Sequence, residues 1–158
     1  MTDLSTPPAP PEAAPKTYNI RGIPAELLNR YWPFAVPYIK RALDRTTGEL
    51  TIEDYRRFAD AAQIQLWLVH DGTRIRGAAT TEIVRFPKIN RLRVLTVGGA
   101  NFDLWADALD LKLREWALTN KCDGIEAYVR KGFVKRLRDA GYQHKLSMVW
   151  RPIEHGPS

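Results

Sequence analysis

Apolar residues recur at helical spacing near the start of the chain. The run PAELLNRYWPFAVPYIKRAL begins at Pro24, a residue suited to the first turn of a helix. Pro33 and Pro37 lie inside this run, and we expect them to kink or divide the helix because proline has no amide hydrogen to donate. A second helix is predicted over residues 51–62, whose opening letters TIED form a variant of the capping box.

The middle of the chain has the composition and alternation of β-strands. Residues 63–86 form two β-rich runs separated by Asp71-Gly72, a strong hairpin signal because both residue types tolerate positive φ. After another turn, the run RLRVLTV alternates basic and apolar positions until Gly98-Gly99 ends it. The pattern predicts a meander of three antiparallel strands.

Helices and strands alternate in the last third of the chain. The run DLWADALDLKLREWALTNK predicts a long helix with Asp103 as N-cap and a wide apolar face that includes Leu104. A short strand (GIEAYVR), a helix (KGFVKRLRDA) closed by Gly141 and a final strand (YQHKLSMVW) follow. The order ααβββαβαβ indicates an α/β (α+β) fold with a mixed, mostly antiparallel sheet flanked by helices.

The two ends of the chain differ in composition from the middle. Residues 2–16 contain five prolines and almost no large apolar side chain, so they cannot offset the entropy lost on ordering. We therefore predict a disordered Pro-rich tail over residues 1–17, a single domain over 18–153 and a flexible tail over 154–158.

Composition limits the class of protein. Hydrophobic residues make up 44% of the chain and charged residues 27%, which is ordinary for a soluble globular protein. No apolar stretch approaches the roughly 20 residues of a membrane span and the first residues do not resemble a signal peptide, so we expect a cytoplasmic protein with no membrane contact. Cys122 is the only cysteine and the three histidines lack metal-ligand spacing, so we expect a buried thiol and no metal.

The net charge of +6 favours an anionic partner, such as nucleic acid, a phosphorylated cofactor or an acidic protein surface. Two groups of cations, one on the meander and one on the late helix, are the candidates for contact with nucleic acid, with solvated surface charge as the alternative. They are Arg74, Arg76, Arg85, Lys88, Arg91 and Arg93, and Lys131, Lys135, Arg136 and Arg138.

Three short motifs occur in the same order as these elements. Asp71-Gly72 ends the first hairpin strand, residues 75–79 read IRGAA, and Gly141-Tyr142 precedes the last strand. Motifs and element order together resemble the GNAT superfamily of N-acyltransferases over residues 18–152. The resemblance implies a GNAT-like acyl-CoA N-acyltransferase fold.

The resemblance also implies acetyl-CoA as cosubstrate. In the family, the strand before the central helix gives backbone groups to pantetheine, and a Q/R-x-x-G-x-G/A loop gives amides to the pyrophosphate. The matching segment here lacks that motif but keeps glycines before a helix N-terminus, with Asp103 adding a negative charge nearby. The implied cofactor-binding residues are Val97, Gly98, Gly99, Ala100, Asn101 and Phe102.

Candidate catalytic residues are a carboxylate and a tyrosine. Glu82 is the candidate general base, because it lies among uncharged residues of the meander where burial could raise its proton affinity, and Glu126 is its rival. The family often places a tyrosine four residues before the Gly-aromatic pair to protonate the thiolate, whereas this chain has Leu137 there. Tyr128 is therefore the candidate general acid, with a core aromatic as the structural alternative.

The sequence leaves three functions open. The first is an N-acyltransferase that moves an acetyl or acyl group from acyl-CoA to an amine on a small molecule or protein. The second is a catalytically silent GNAT-like binding module: TEIV-x-F-P, Gly-Gly and an early helical Trp resemble GNAT-like proteins of phages and prophages, some of them accessory or virion proteins. The third is a basic nucleic-acid-binding module.

Overall fold

A computed structural model describes residues 17–46 and 48–156 of the chain. The chain divides into two compact units, the first ending at Tyr128 and the second beginning at Val129. Most of the predicted N-terminal tail, residues 1–16, lies outside the described residues. The single domain predicted over residues 18–153 stays a prediction.

The described part of the first unit forms one five-stranded sheet. Its strands are β1 (Asn19–Ile23), β2 (Gln65–His70), β3 (Ile75–Arg85), β4 (Asn90–Gly99) and β5 (Gly124–Ala127). Their spatial order follows the chain, with antiparallel pairing from β1 to β4 and parallel pairing between β4 and β5. The predicted mixed, mostly antiparallel sheet is confirmed. β1 is an additional strand that the sequence pattern does not predict, because its polar run NIRGI shows only a weak strand pattern.

Helices cover both faces of this sheet. They are α1 (Leu28–Leu43) and α2 (Ile52–Asp60) on one face and α3 (Phe102–Thr119) on the other. Side chains such as Trp32 and Tyr55 pack with Leu66 on the first face, and Trp105 packs with Val69 on the second. Because β2 is covered on both faces, its sequence QLWLVH is apolar almost throughout.

The first predicted helix is not divided at its prolines. A 3₁₀ turn at Ala25–Leu27 leads into α1, which continues through Pro33 and Pro37. Both prolines are exposed, so water can reach the carbonyls of Asn29 and Pro33 that lose their helical partners. Solvation of these two groups explains why the expected break is absent.

The two predicted helix caps have different outcomes. The capping box of α2 is confirmed: the Asp54 amide donates to the Thr51 hydroxyl at 3.2 Å, and the Thr51 amide donates to the Asp54 carboxylate at 2.9 Å. For α3, the predicted N-cap Asp103 is wrong, because the helix begins at Phe102, two residues before the start that this cap implies. Asn101 is the N-cap, and its left-handed backbone (φ 58°) ends the preceding turn.

The second unit contains α4 (Lys131–Asp139), closed as predicted by Gly141 with positive φ. The final strand predicted over residues 142–150 is wrong, since the described residues 142–156 have no regular secondary structure. A strand is stabilised by a hydrogen-bonded neighbour, and β-rich composition alone does not supply one. The fold class is therefore as predicted, and the element order differs at its two ends.

The hairpin between β2 and β3 is organised by a buried carboxylate. The Asp71 side chain accepts hydrogen bonds from the Thr73 and Arg74 amides at 2.8 and 2.7 Å and from Arg76 Nε at 2.5 Å. Gly72 alone of the Asp-Gly pair has positive φ. The backbone of Arg74, the guanidinium of Arg76 and the backbone of Thr73 hold the pKa of Asp71 well below its usual range.

We predict that Asp71→Asn lowers stability at neutral pH and that this difference fades in acid. Because the pKa of Asp71 is lower in the folded protein than its ordinary value of 3.8, ionised Asp71 stabilises the folded state at pH values above 3.8. This stabilisation is lost as the pH falls toward the folded-state pKa. Urea unfolding at a series of pH values between about 7 and 2 measures this dependence. The control is Asp139→Asn at the exposed end of α4. Equal pH dependence of the parent and Asp71→Asn would contradict the prediction.

Candidate active site

β4 changes its neighbours halfway along its length. The register between β3 and β4 shifts at Leu95, an extra residue that forms a β-bulge. β5 pairs with β4 only as far as Val94, the residue before the bulge. Beyond it, residues 95–99 keep β3 on one edge, and none of the described strands pairs with the other edge. We call this second edge the open edge of β4.

The implied cofactor-binding segment continues from the open edge into the start of α3. Ala100 and Asn101 are exposed, and the structure shows no side-chain hydrogen bond from Asn101 to the first turn of the helix. The indole of Trp105 donates to the Ala100 carbonyl at 3.0 Å, and Phe102 contacts the same ring edge to face. This loop is thus held against the core while its backbone stays accessible at a helix N-terminus, which favours anions.

Gly98 and Gly99 have a packing role that the sequence did not reveal. A Cβ added at Gly98 would lie 2.6 Å from the Tyr38 carbonyl oxygen of α1. At Gly99, whose φ is +137°, it would lie 2.5 Å from the Arg76 carbonyl oxygen and 2.8 Å from the Cα of Gly77. Both glycines therefore permit close approach of α1 and β3 to β4. Their predicted role in CoA binding stays a prediction.

The three candidate catalytic residues lie around one arginine. Arg93 Nη1 is 3.4 Å from a Glu82 oxygen, and Arg93 Nε and Nη2 lie 3.1 and 2.9 Å from one oxygen of Glu126. The guanidinium lies 5.3 Å from the ring centre of Tyr128. Arg91 reaches the second oxygen of Glu126 at 3.4 Å. We call these five residues the Arg93 cluster. Val94, where β5 pairing ends, is the next residue along β4.

The electrostatics of the cluster extend to α2. Burial opposes the charge of Arg93, but the hydrogen bond to Glu126 and the attraction of Glu126, Tyr128 and Glu82 outweigh it, so the pKa of Arg93 is raised. Burial, followed by the negative charge of Glu82, raises the pKa of Tyr55 to about 12. Tyr55 therefore lies within electrostatic range of Glu82 on the α1 and α2 face of the sheet.

From the sequence, Arg93 is predicted only as part of a nucleic-acid surface. Glu82 of β3 faces Arg93 of β4 in the continuous register between the turn and the Leu95 bulge. Finding this pair from the sequence requires the register that the turn sets, which the letters alone do not give. Three of the six meander cations proposed for nucleic acid have carboxylate partners: Arg76 with Asp71, and Arg91 and Arg93 with Glu126. Tyr128 is exposed and is not a core aromatic.

Other predicted features are placed as follows. Cys122 is half-buried beside the α3 cluster, and burial raises the pKa of its thiol. Leu137 lies in α4, in the second unit. Residues 17–46 and 48–156 contain no group of three or more side chains suited to a metal ion, and no helix in these ranges is long and apolar enough to cross a membrane.

Solved structures of acetyltransferases have the same fold at low sequence identity. An aminoglycoside acetyltransferase from an uncultured soil metagenomic sample, in complex with sisomicin, has a TM-score of 0.64 at 7% identity, covering 87% of this chain and 97% of that one. Glucosamine-6-phosphate N-acetyltransferase from Arabidopsis thaliana has 0.61 at 14%, covering 87% and 99%. A predicted acetyltransferase with acetyl-CoA from Clostridium acetobutylicum has 0.63 at 11%, covering 86% and 96%. The chain therefore has the fold of the GNAT acetyltransferases.

Comparisons at the level of sequence add nothing to this assignment. No protein-family model matches the chain, and the comparison with curated proteins gives no significant match.

We predict that Gly99→Ala destabilises the protein by about 1–3 kcal/mol, because the new methyl group meets backbone atoms that cannot move aside and the residue has positive φ. The matched control is Gly132→Ala in α4, where the added methyl meets no atom within 4 Å. Chemical denaturation of both variants measures the difference. Equal stability of Gly99→Ala and the parent would show that the close approach is not required.

Proposed function

We propose that this protein is an N-acyltransferase that moves an acetyl or acyl group from acyl-CoA to an amine. The observation that carries the proposal is the position of the Arg93 cluster. It lies beside the point on β4 where pairing with β5 stops, next to the Leu95 bulge. An extended cosubstrate can pair with a free strand edge. Ionisable side chains suited to proton transfer lie one residue away.

Acyl-CoA binding is proposed at the open edge of β4 and the loop that follows it. The amides of pantetheine would pair with backbone groups of residues 95–99, in the manner of an added strand. The pyrophosphate would lie against Ala100, Asn101 and the first turn of α3, where backbone dipoles favour anions. The solved acetyltransferase from Clostridium acetobutylicum that contains acetyl-CoA has the same fold, which supports this cosubstrate.

The proposed reaction is direct attack of the amine on the thioester. A bond forms between the amine nitrogen and the carbonyl carbon, and the bond from that carbon to sulfur breaks. Glu82 or Glu126 accepts the proton that the amine loses, and Tyr128 donates its hydroxyl proton to the departing thiolate. Arg93 holds the two carboxylates in position, so it acts as a positioning residue.

The proposed acceptor is an amine on a small molecule or protein. Solved structures with this fold include an enzyme named for aminoglycosides and one named for glucosamine 6-phosphate, both amine-bearing. An open depression of about 480 Å³ at the turn between β3 and β4 is lined by Phe86, Pro87, Lys88, Ile89 and Arg91. Because Arg91 also contacts Glu126, an acceptor in this depression would lie next to the Arg93 cluster.

A catalytically silent GNAT-like binding module is the second candidate. Two observations favour it: the packing role of Gly98 and Gly99 explains both glycines without a ligand, and both carboxylates are already paired with Arg93. Binding and turnover experiments separate the two candidates.

We predict that acetyl-CoA raises the melting temperature by several degrees. A ligand at about 100 times its dissociation constant adds roughly 2.7 kcal/mol of stability. Asn101→Asp should reduce this shift, because it places a negative charge where the phosphates would bind, with almost no change in shape. The matched control is Asn120→Asp at the other end of α3, which should keep the shift. If the parent shows no shift, the acyltransferase proposal fails.

We further predict that one of Glu82→Gln and Glu126→Gln lowers turnover by about 10²-fold or more while the acetyl-CoA shift persists. Release of free thiol in the presence of aminoglycosides and glucosamine 6-phosphate gives the rate. Glu53→Gln, in the exposed first turn of α2, is the control and should keep the parent rate. Unchanged turnover in both variants would exclude these two carboxylates as the essential base.

A further inference from the structure

Helix α3 is apolar on two opposite sides. Trp105, Leu109 and Leu113 are buried against the sheet. Leu104, Leu111 and Leu118 are 64%, 52% and 77% exposed. The prediction that Leu104 belongs to the core-facing side is wrong, because Leu104 lies outside the buried cluster.

The three exposed leucines form a straight stripe. They are spaced by seven residues, and since two helical turns contain 7.2 residues, they lie within about 40° of one another around the helix axis. At 1.5 Å of rise per residue the stripe is roughly 21 Å long. Spacing of this kind is typical of helices that pack lengthwise against another helix.

Charges beside the stripe change sign along the helix. Its first half carries Asp103, Asp107 and Asp110, and its second half carries Lys112, Arg114 and Glu115, so the net charge changes from negative to positive along the helix. Asp107 and Arg114 are seven residues apart, so they lie on the same side of the stripe, at nearly equal distances from Leu111 in opposite directions. A two-fold axis at Leu111 places a second copy of α3 antiparallel to the first. Arg114 of each copy then lies beside Asp107 of the other.

We infer that the leucine stripe of α3 is a homodimer interface in which two copies of α3 pack antiparallel across a two-fold axis at Leu111. At each end of the interface, Leu104 of one copy contacts Leu118 of the other. At the centre, the two Leu111 side chains contact each other. Asp107 and Arg114 form two reciprocal ion pairs beside the leucines. The self-complementary charge selects a second copy as the occupant, and the antiparallel arrangement also aligns opposite helix dipoles. This inference is independent of the proposed function.

The intrahelical contacts of α3 are compatible with this arrangement. Arg114 Nε is 3.0 Å from an Asp110 oxygen, and the Arg114 side chain is 61% exposed. A guanidinium has five N–H donors, so Arg114 keeps donors for Asp107 of the second copy. A single helix pair is a small interface, so we expect association that depends strongly on protein concentration.

Sedimentation velocity of the full chain over about 5 to 500 µM tests the inference. The parent should shift from the 18.1 kDa monomer to twice that mass as concentration rises. Leu111→Glu places two carboxylates together on the two-fold axis and should stay monomeric throughout. Leu146→Glu, at a leucine outside α3 that is even more exposed (89%), is the control and should dimerise like the parent. Circular dichroism melts show whether each variant is folded.

A charge exchange tests the antiparallel orientation separately. Asp107→Arg and Arg114→Asp should each weaken dimerisation by about tenfold or more, because like charges then face each other twice. The double variant restores opposite charges and should return to within a few-fold of the parent. A parent that is monomeric at all concentrations, a Leu111→Glu variant that still dimerises, or a double variant no better than the single ones would overturn the inference. Loss of the dimer in Leu146→Glu alone would assign the contact to residues outside α3 and would also overturn it.

Discussion

Close backbone contact at one end of β4 determines much of this structure. Gly98 lies under the Tyr38 carbonyl of α1, and Gly99 lies against Arg76 and Gly77 of β3, at distances that no side chain would permit. β4 can therefore contact helices on both faces of the sheet and still turn directly into α3. The positions of the open edge, of Ala100 and of the first turn of α3 all depend on this contact. A pair of glycines that a sequence reader associates with phosphate binding is thus first a condition of the fold.

The Leu95 bulge and Arg93 together relate the fold to the candidate chemistry. The bulge lets β4 separate from β5, and separation begins just beyond the residues that carry the charges. Arg93 holds Glu82 of β3 and Glu126 of β5 across three neighbouring strands. An arginine between two carboxylates keeps both charged groups satisfied in a half-buried position, where either alone would be costly to desolvate.

Sequence patterns predicted the elements better than the contacts between them. Alternation and the Asp71-Gly72 turn identified the meander, and the capping box gave the start of α2, because these signals are local. The register shift at Leu95 and the role of Arg93 depend on which residues face each other across strands, which no local pattern contains. The final strand failed for the same reason: residues 142–150 have the right composition, but pairing requires a neighbour. Glu82, Glu126 and Tyr128 were selected by chemistry, and only the structure brought them together.

The two prolines of α1 have a consequence for how the protein acquires its structure. A proline inside a helix costs about 3 kcal/mol, so α1 has little helical stability of its own. Its order depends on burying Leu28, Trp32 and Ile39 against the sheet, which must already offer a surface to receive them. We therefore expect α1 to form with or after the β2–β3 hairpin, and not as an early local nucleus. Since Tyr38 of α1 also covers Gly98, the geometry of the open edge is completed only when α1 has packed onto the sheet.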